Sequence, residues 1–169
     1  MNVDTSHKGV VFYWTHDGFR QLDTPSIEIK LPVTVSSYGA SLGLHLKKPE
    51  MVINSIKEGL PVSAFEQLCA NMDVNVSNMA GIVRIARRTL VRRKREGKLK
   101  PSESERVYRL SSLFDKAVQV LGTGDAASQW FKTPKKALGG KTPLEYSDTE
   151  LGAREVEDLL GRLEHGVFS

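Results

Sequence analysis

The chain has a single cysteine, Cys69, and only four histidines, His7, His16, His45 and His165, scattered along its length. One thiol cannot close an internal disulfide, and none of these residues has the spacing of a metal site. Cys69 falls on an apolar helical pattern and reads as a small buried side chain. No apolar run approaches the roughly twenty residues that span a bilayer. Val10–Trp14 is apolar but short and poor in flanking basic charge, so it is neither a secretory signal nor an anchor. No membrane is expected, and a cytoplasmic location is. Internal repeats and low-complexity tracts are missing too. Enzyme chemistry is equally thin. Gly139-Gly140-Lys141-Thr142 lacks the earlier glycine of a phosphate-binding loop, because position 135 is Lys, and reads as a tight turn. Glu155 and Glu157 lie on different helix faces and look solvated. The expectation is a protein with no catalytic residues, metal or cofactor.

What the chain does have is charge in one place. Between Arg84 and Lys100 stand nine basic residues (Arg84, Arg87, Arg88, Arg92, Arg93, Lys94, Arg95, Lys98, Lys100) against one acid, Glu96. That segment carries +8 of a net +4, leaving −4 for the remainder. Such concentration is the electrostatic footprint of a phosphate-binding surface. Ile85, Ala86, Leu90, Val91 and Leu99 interrupt the run, so it belongs to a folded element and not to a basic tail.

Helical spacing organises its surroundings. Pro61–Met72 forms an amphipathic helix with Val62, Phe65, Leu68 and Cys69 inward. Asn75 or Ser77 can cap a short second helix carrying Met79, Ile82 and Val83. A turn over Arg84–Ala86 then leads into a third helix, Arg87–Glu96, closed by Gly97. This is a helix-turn-helix. The string RIARRTLVRRKREG from Arg84 resembles the turn and recognition helix of Xre/Cro-type DNA-binding domains, and SLGLHLKKPEMVINSIKEGLP from Ser41 resembles their lead-in helices. Two positions depart from that pattern: Arg84 stands at the turn glycine and Ala86 at the usual capping serine or threonine. Each departure costs on the order of 1 kcal/mol. If the third helix enters a major groove, Arg87, Arg88 and Arg92 face the bases, with Thr89 at the helix start. Arg93, Lys94 and Arg95 go to the phosphate backbone or solvent, and Leu90 and Val91 anchor the helix to its own domain.

Beyond Pro101 the pattern predicts a long helix, Ser102–Leu121, with Ser102 and Glu105 as a capping box and Gly122 as its stop. Its stripe of Val107, Leu110, Leu113, Phe114, Ala117, Val118 and Leu121 reads as core, and part of it could serve self-association. A short helix from Gly124-Asp125 to Phe131 sets Trp130 in the core. A final helix is expected from a Ser147/Glu150 capping box, with Leu151, Val156, Leu159, Leu160 and Leu163 mostly on one face. Gly166 ends it. Beyond Gly166 stand Val167, Phe168 and the carboxylate of Ser169, an unusually apolar tail. Phe168 either folds back onto its helix or is offered to a partner.

The segment Trp130–Ser169 carries Trp130, Thr133-Pro134, Ala137-Leu138-Gly139-Gly140, Thr142-Pro143-Leu144, Gly152-Ala153, Val156, Leu159-Leu160 and His165-Gly166-Val167-Phe168. On those elements it resembles the toxin-binding domain of MbcA/ParS/Xre antitoxins, the partners of RES-domain toxins. The resemblance implies a mainly α fold, an Xre/Cro-like helix-turn-helix domain followed by a small helical toxin-binding domain. Residues 1–48 are then a variable arm, 49–100 the DNA-binding domain, and 101–169 the toxin-binding domain with 102–121 as linking helix. It further implies an antitoxin that covers the active site of an NAD-degrading RES-domain toxin and represses its own operon. The implied partners are that toxin and operator DNA, bound as a homodimer and as a hetero-oligomer with toxin. The implied toxin-binding residues are Arg154, Glu157, Leu160, His165, Gly166, Val167, Phe168 and Ser169. The alternative is a stand-alone helix-turn-helix repressor whose C-terminal domain dimerises. The first forty residues carry no assigned function. Ile27, Ile29, Leu31, Val33 and Val35 alternate as in a strand, which Pro32 confines to an edge or an extended arm, and Val10–Trp14 is a possible partner strand.

Overall fold

The computed structural model describes residues 12–15, 18–21 and 38–166. The chain divides into two compact units, Met1–Leu31 and Pro32–Ser169. In the first, strands β1 (Phe12–Thr15) and β2 (Gly18–Gln21) pair antiparallel, Phe12 opposite Gln21 and Thr15 opposite Gly18. Of Val10–Trp14, considered a possible partner for the Ile27–Val35 segment, residues Phe12–Trp14 lie in β1, which runs to Thr15 and pairs with β2 in a local hairpin. The alternating segment Ile27–Val35 lies outside the described residues.

The second unit is helical. It contains α1 (Pro49–Glu58), α2 (Val62–Asn71), α3 (Val76–Ile82), α4 (Arg87–Glu96), α5 (Pro101–Leu121), α6 (Gly124–Lys132), α7 (Pro143–Tyr146) and α8 (Glu150–Glu164). Side-chain caps start several of them. Asn75 accepts from the Asn78 amide, Thr123 from Ala126, Thr142 from Glu145 and Thr149 from Gly152. Two expected caps move. Ser147 is buried and donates to the Pro143 carbonyl, so Thr149 starts α8 in place of the Ser147/Glu150 box. At α5 it is Glu103 that accepts from the Lys100 amide, at 2.8 Å, in place of the Ser102/Glu105 box. The Ser104 hydroxyl takes the Leu60 amide instead, tying α5 to the start of α2.

Side chains from α2 through α8 meet in one core. Phe65, Leu68, Met72 and Met79 are fully buried with Val107 of α5, Phe131 of α6, and Val156 and Leu160 of α8. The Phe131 ring lies 6.0 Å from Phe114 and 5.3 Å from Trp130, the latter edge-on. Each fully buried ring or branched chain contributes on the order of 1.5–3 kcal/mol. The boundary expected at residue 100 is therefore not a break in packing, because α5 is shared by both sides. Nor does the arm end cleanly at residue 48: Ser41 and Leu42 are buried. The Ser41 amide donates to Asp115 of α5 at 3.0 Å, and its carbonyl accepts from Asn71. Cys69 is buried as expected, and that burial, with Glu66 nearby, pushes its thiol up to about 12.

Two glycines let backbones touch. A Cβ on Gly59 would stand 2.1 Å from the Leu99 carbonyl, where Leu99 in turn donates to Leu60 and seats the exit of α4 against the entry of α2. A Cβ on Gly152 would stand 1.8 Å from the Tyr146 carbonyl, so only glycine admits α8 at that distance from α7. Among the described residues no helix is long and apolar enough to cross a membrane.

Candidate functional site

The first candidate surface is built on α4. Leu90 and Arg93 face inward and everything else on the helix is exposed, except the half-buried Thr89. Arg93 corrects an expectation. Its side chain is 3% exposed and forks onto Glu103, Nε to Oε2 at 2.7 Å and Nη2 to Oε1 at 3.0 Å, with Glu96 as a further acceptor. A guanidinium so held is not offered to phosphate. The two partners move each other's titration. Donating hydrogen bonds to Glu103 and Glu96 pushes Arg93 further up. Burial opposes the ionised form of Glu103, but the Arg93 hydrogen bonds and the Lys100 amide win and hold it below the ordinary glutamate range.

Locking one arginine fixes the rotation of the helix. Arg88, Arg92 and Arg95 then stand on the outer ridge, with Arg87 in the first turn. Val91 joins them, 53% exposed, where an anchor to the domain was expected. Lys94 reaches back to Glu66 at 2.7 Å and lies to the side. The N-terminus of α4 has no side-chain cap and no acid in its first turn. Free amides beside Arg87 and Arg88 repel cations and attract an anion such as a phosphate. The preceding turn adopts the strained geometry the sequence implied, with Arg84 at φ 52°. Its guanidinium is 3.0 Å from Asp148, and Arg106 of α5 donates to the Val83 carbonyl at 2.7 Å. A residue tolerated there at a backbone cost is thus braced by the C-terminal half.

The second candidate surface lies on α8. Of the expected partner-binding residues, Arg154, Glu157, His165 and Gly166 are exposed. Arg154 pairs with Glu150 at 2.6 Å, and Glu157 accepts from Lys116 of α5 at 3.3 Å. Gly166 adopts the left-handed conformation, at φ 67°. Leu160 is a correction: it is wholly buried and belongs to the core. Leu151 moves the other way, 71% exposed where the inward face was expected. Val167, Phe168 and Ser169 lie outside the described residues. Beside α8 runs a groove of about 430 Å³ bordered by Lys116, Glu157, Asp158, Arg162 and His165. A second, of about 340 Å³, is bordered by Tyr146, Thr149, Leu151 and Glu155. Between Trp130 and Thr142 the chain makes the expected tight turn, with Gly139 and Gly140 at positive φ and Lys135 bonded to both Gly140 and Lys141. Lys135 also stands 5.3 Å over the half-buried Trp130 ring.

Val91 and Leu151 were expected to face inward and instead point out, while Arg95 is exposed as expected. Taking Arg93 as a core residue would have found Val91, since it sets the phase of α4.

The two surfaces fall in two described domains. A family described as the antitoxin Xre-like helix-turn-helix domain matches residues 51–112. A family described as the antitoxin Xre/MbcA/ParS C-terminal toxin-binding domain matches residues 116–166. An Antitoxin Xre of Yersinia enterocolitica is 38% identical over 131 residues, covering 76% of this chain and 88% of the relative. An Antitoxin Xre of Photorhabdus laumondii is 37% identical over 116 residues, 68% of this chain and 78% of the relative. A Prs ADP-ribosylating antitoxin of a Sphingobium species is 26% identical over 136 residues, 75% of this chain and 86% of the relative.

Proposed function

This chain belongs to the Xre antitoxins, and from that premise we propose that it neutralises a cognate RES-domain, NAD-degrading toxin and represses its own operon. The observation that carries the reading is the pairing of an outward cationic ridge on α4 with an acidic, exposed α8 on one shared core. Neutralisation is direct: Arg154, Glu157, His165 and Gly166 of α8 contact the toxin, and the tail Val167, Phe168 and Ser169 enters its substrate cavity. Apolar anchors dominate most interfaces, so Phe168 outweighs any single surface charge. Operator DNA meets Arg87, Arg88, Thr89, Arg92 and Lys94, the first three at the start of the helix. The antitoxin acts in the cytoplasm, as a homodimer on paired half-sites and as a hetero-oligomer with toxin. A match to a toxin-binding domain across residues 116–166 favours this over a stand-alone repressor with a dimerisation domain. The Sphingobium relative is named a Prs ADP-ribosylating antitoxin, and on that name ADP-ribosylation is the second chemistry considered for the system.

The test is co-expression with a RES-domain protein encoded beside this gene, scored by growth and cellular NAD. Full-length chain should protect. Deleting Val167–Ser169 should restore toxicity and leave promoter binding intact, whereas the Arg88→Ala/Arg92→Ala double variant should protect but lose promoter binding and its steep salt dependence. Equal protection by the truncated chain would remove the tail as the plug. Full-length chain that fails to protect would overturn the antitoxin–toxin pairing.

A further inference from the structure

Resting on that reading of α4, we propose that Val91 reads a thymine in the operator through the C5-methyl group. Val91 is exposed in the middle of a cationic ridge, with Arg88, Arg92 and Arg95 at three positions before, one after and four after it. These four positions have the i, i+3, i+4, i+7 spacing with which recognition helices present base-reading side chains to a major groove. The isopropyl group has no place in folding, because it faces away from the core that Leu90 enters. Nor does helix propensity call for it, since valine is a weaker helix former than the lysines and arginines around it. Its side chain cannot hydrogen-bond, and the one apolar group on a base edge of the major groove is the thymine methyl. A β-branched chain is also held to essentially one rotamer in a helix, so the surface it offers is fixed before binding.

The neighbourhood separates Val91 from the other large exposed apolar residues. Among the described residues, Leu151 lies beside Glu150, Glu155 and Arg154 on a helix of net negative charge, Met51 and Ile53 lie on α1, and Tyr38 lies on a segment bridged to Leu46. Val91 alone among them sits between arginines that draw phosphate toward it. The bidentate Arg93–Glu103 pair holds the helix at the rotation that points Val91 outward. The arginines supply affinity and can fork onto guanine; Val91 supplies a preference that no hydrogen bond on this ridge can express.

The experiment uses the full chain and a duplex from its own promoter in which each thymidine is replaced singly by deoxyuridine, removing only the methyl. Wild-type chain should bind about fourfold more weakly at one thymidine, or at one symmetry-related pair, the value of a single apolar carbon group. Val91→Ala should bind the unmodified duplex about fourfold more weakly and be blind to that replacement. Because the site is exposed and alanine is the better helix former, the variant should fold, as circular dichroism would verify. Identical deoxyuridine profiles for wild type and Val91→Ala, on a promoter that wild type still prefers over unrelated DNA, would overturn the methyl contact and leave α4 as the DNA-reading helix. Full promoter binding by the Arg88→Ala/Arg92→Ala variant would overturn both. Loss of toxin neutralisation by Val91→Ala with promoter binding unchanged would assign the residue to a protein interface instead.

Discussion

Helices α4 and α8 are built alike and charged oppositely. Each lays a leucine-bearing face against the common core, Leu90 in one and Leu160 in the other. Outside that face, α4 carries five basic residues (Arg93 being turned inward) and one acid in ten positions, whereas α8 carries five acids and two bases in fifteen. Charge of this kind steers encounters and rejects wrong partners more than it adds affinity. A phosphate backbone is drawn to α4 and repelled by α8, and the reverse holds for a cationic protein surface. One hydrophobic core can therefore serve two partners without either occupying the other's site. The comparison fails if the two regions are independent modules, if α8 can be moved without consequence for its partner, or if their buried charges behave alike.

The largest effect is expected from Phe131→Ala. This ring lies in α6, on the α8 side of the molecule, but packs on Phe114 of α5 and is fully buried. Its loss should cost about 3–5 kcal/mol. Because the core is continuous, the helix-turn-helix should melt in the same transition, so promoter binding and toxin binding should fail at one temperature. Calorimetry resolving two transitions, only one of them lowered, would show two modules and break the comparison at its root.

A smaller and more local effect is expected from Gly152→Ala. The new Cβ meets a backbone carbonyl that cannot rotate away, so the first turn of α8 must shift off α7. Overpacking of this kind costs about 1–3 kcal/mol. Toxin capture in a pull-down should fall well before promoter binding does. Equal losses in both would mean that the seat of α8 is not specific to its partner.

Where these positions lie was partly legible in the sequence. The bounds of α4 were, because Gly97 can take the left-handed conformation that ends a helix and Asn75 caps the helix before it. The strain at Arg84 was as well, since a non-glycine residue stood at a glycine position. The fate of Arg93 was not. Its partner Glu103 is ten residues away, beyond a turn, and nothing local distinguishes a buried arginine from its exposed neighbours. On α8 one edge of the expected stripe was misjudged for a related reason. Leu160 faces the core with Val156, as the apolar stripe implied, so it was its added assignment to the partner surface that failed, while Leu151, at the edge of the stripe, is turned out where Gly152 approaches Tyr146. In both cases long-range packing, which periodicity does not encode, made the choice. The shared core was hidden for the same reason, because two matched domains suggest two cores until α5 is seen to serve both.

The subtlest distinction between the two halves lies in two carboxylates on α5. Glu103, toward α4, faces a guanidinium. Burial works against its charge, but Arg93 and the Lys100 amide outweigh burial and hold it below the usual glutamate range. Asp115, twelve residues on, has no cation. Burial raises it above the usual aspartate range, opposed only in part by hydrogen bonds from Ser41 and the Ala40 amide. The two should therefore bend stability against pH in opposite directions. As pH falls from about 7, the folded state takes up the Asp115 proton before the unfolded chain does, and stability rises until the ordinary aspartate value near ~3.9 is passed. Glu103 contributes fully above the ordinary glutamate value near ~4.3, and its contribution is lost as pH falls through its lowered folded value. Urea midpoints across that range should then rise gently and afterwards drop. Asp115→Asn should flatten the rise and keep the drop, while Glu103→Gln should start from lower stability and lessen the drop, Asp73 and Glu145 keeping the rest of it. An Asp115→Asn profile parallel to wild type between about pH 7 and about pH 4 would mean that Asp115 ionises as freely as an exposed carboxylate. The Ser41–Asp115 contact would then not be closed to water, and the two ends of α5 would handle buried charge alike.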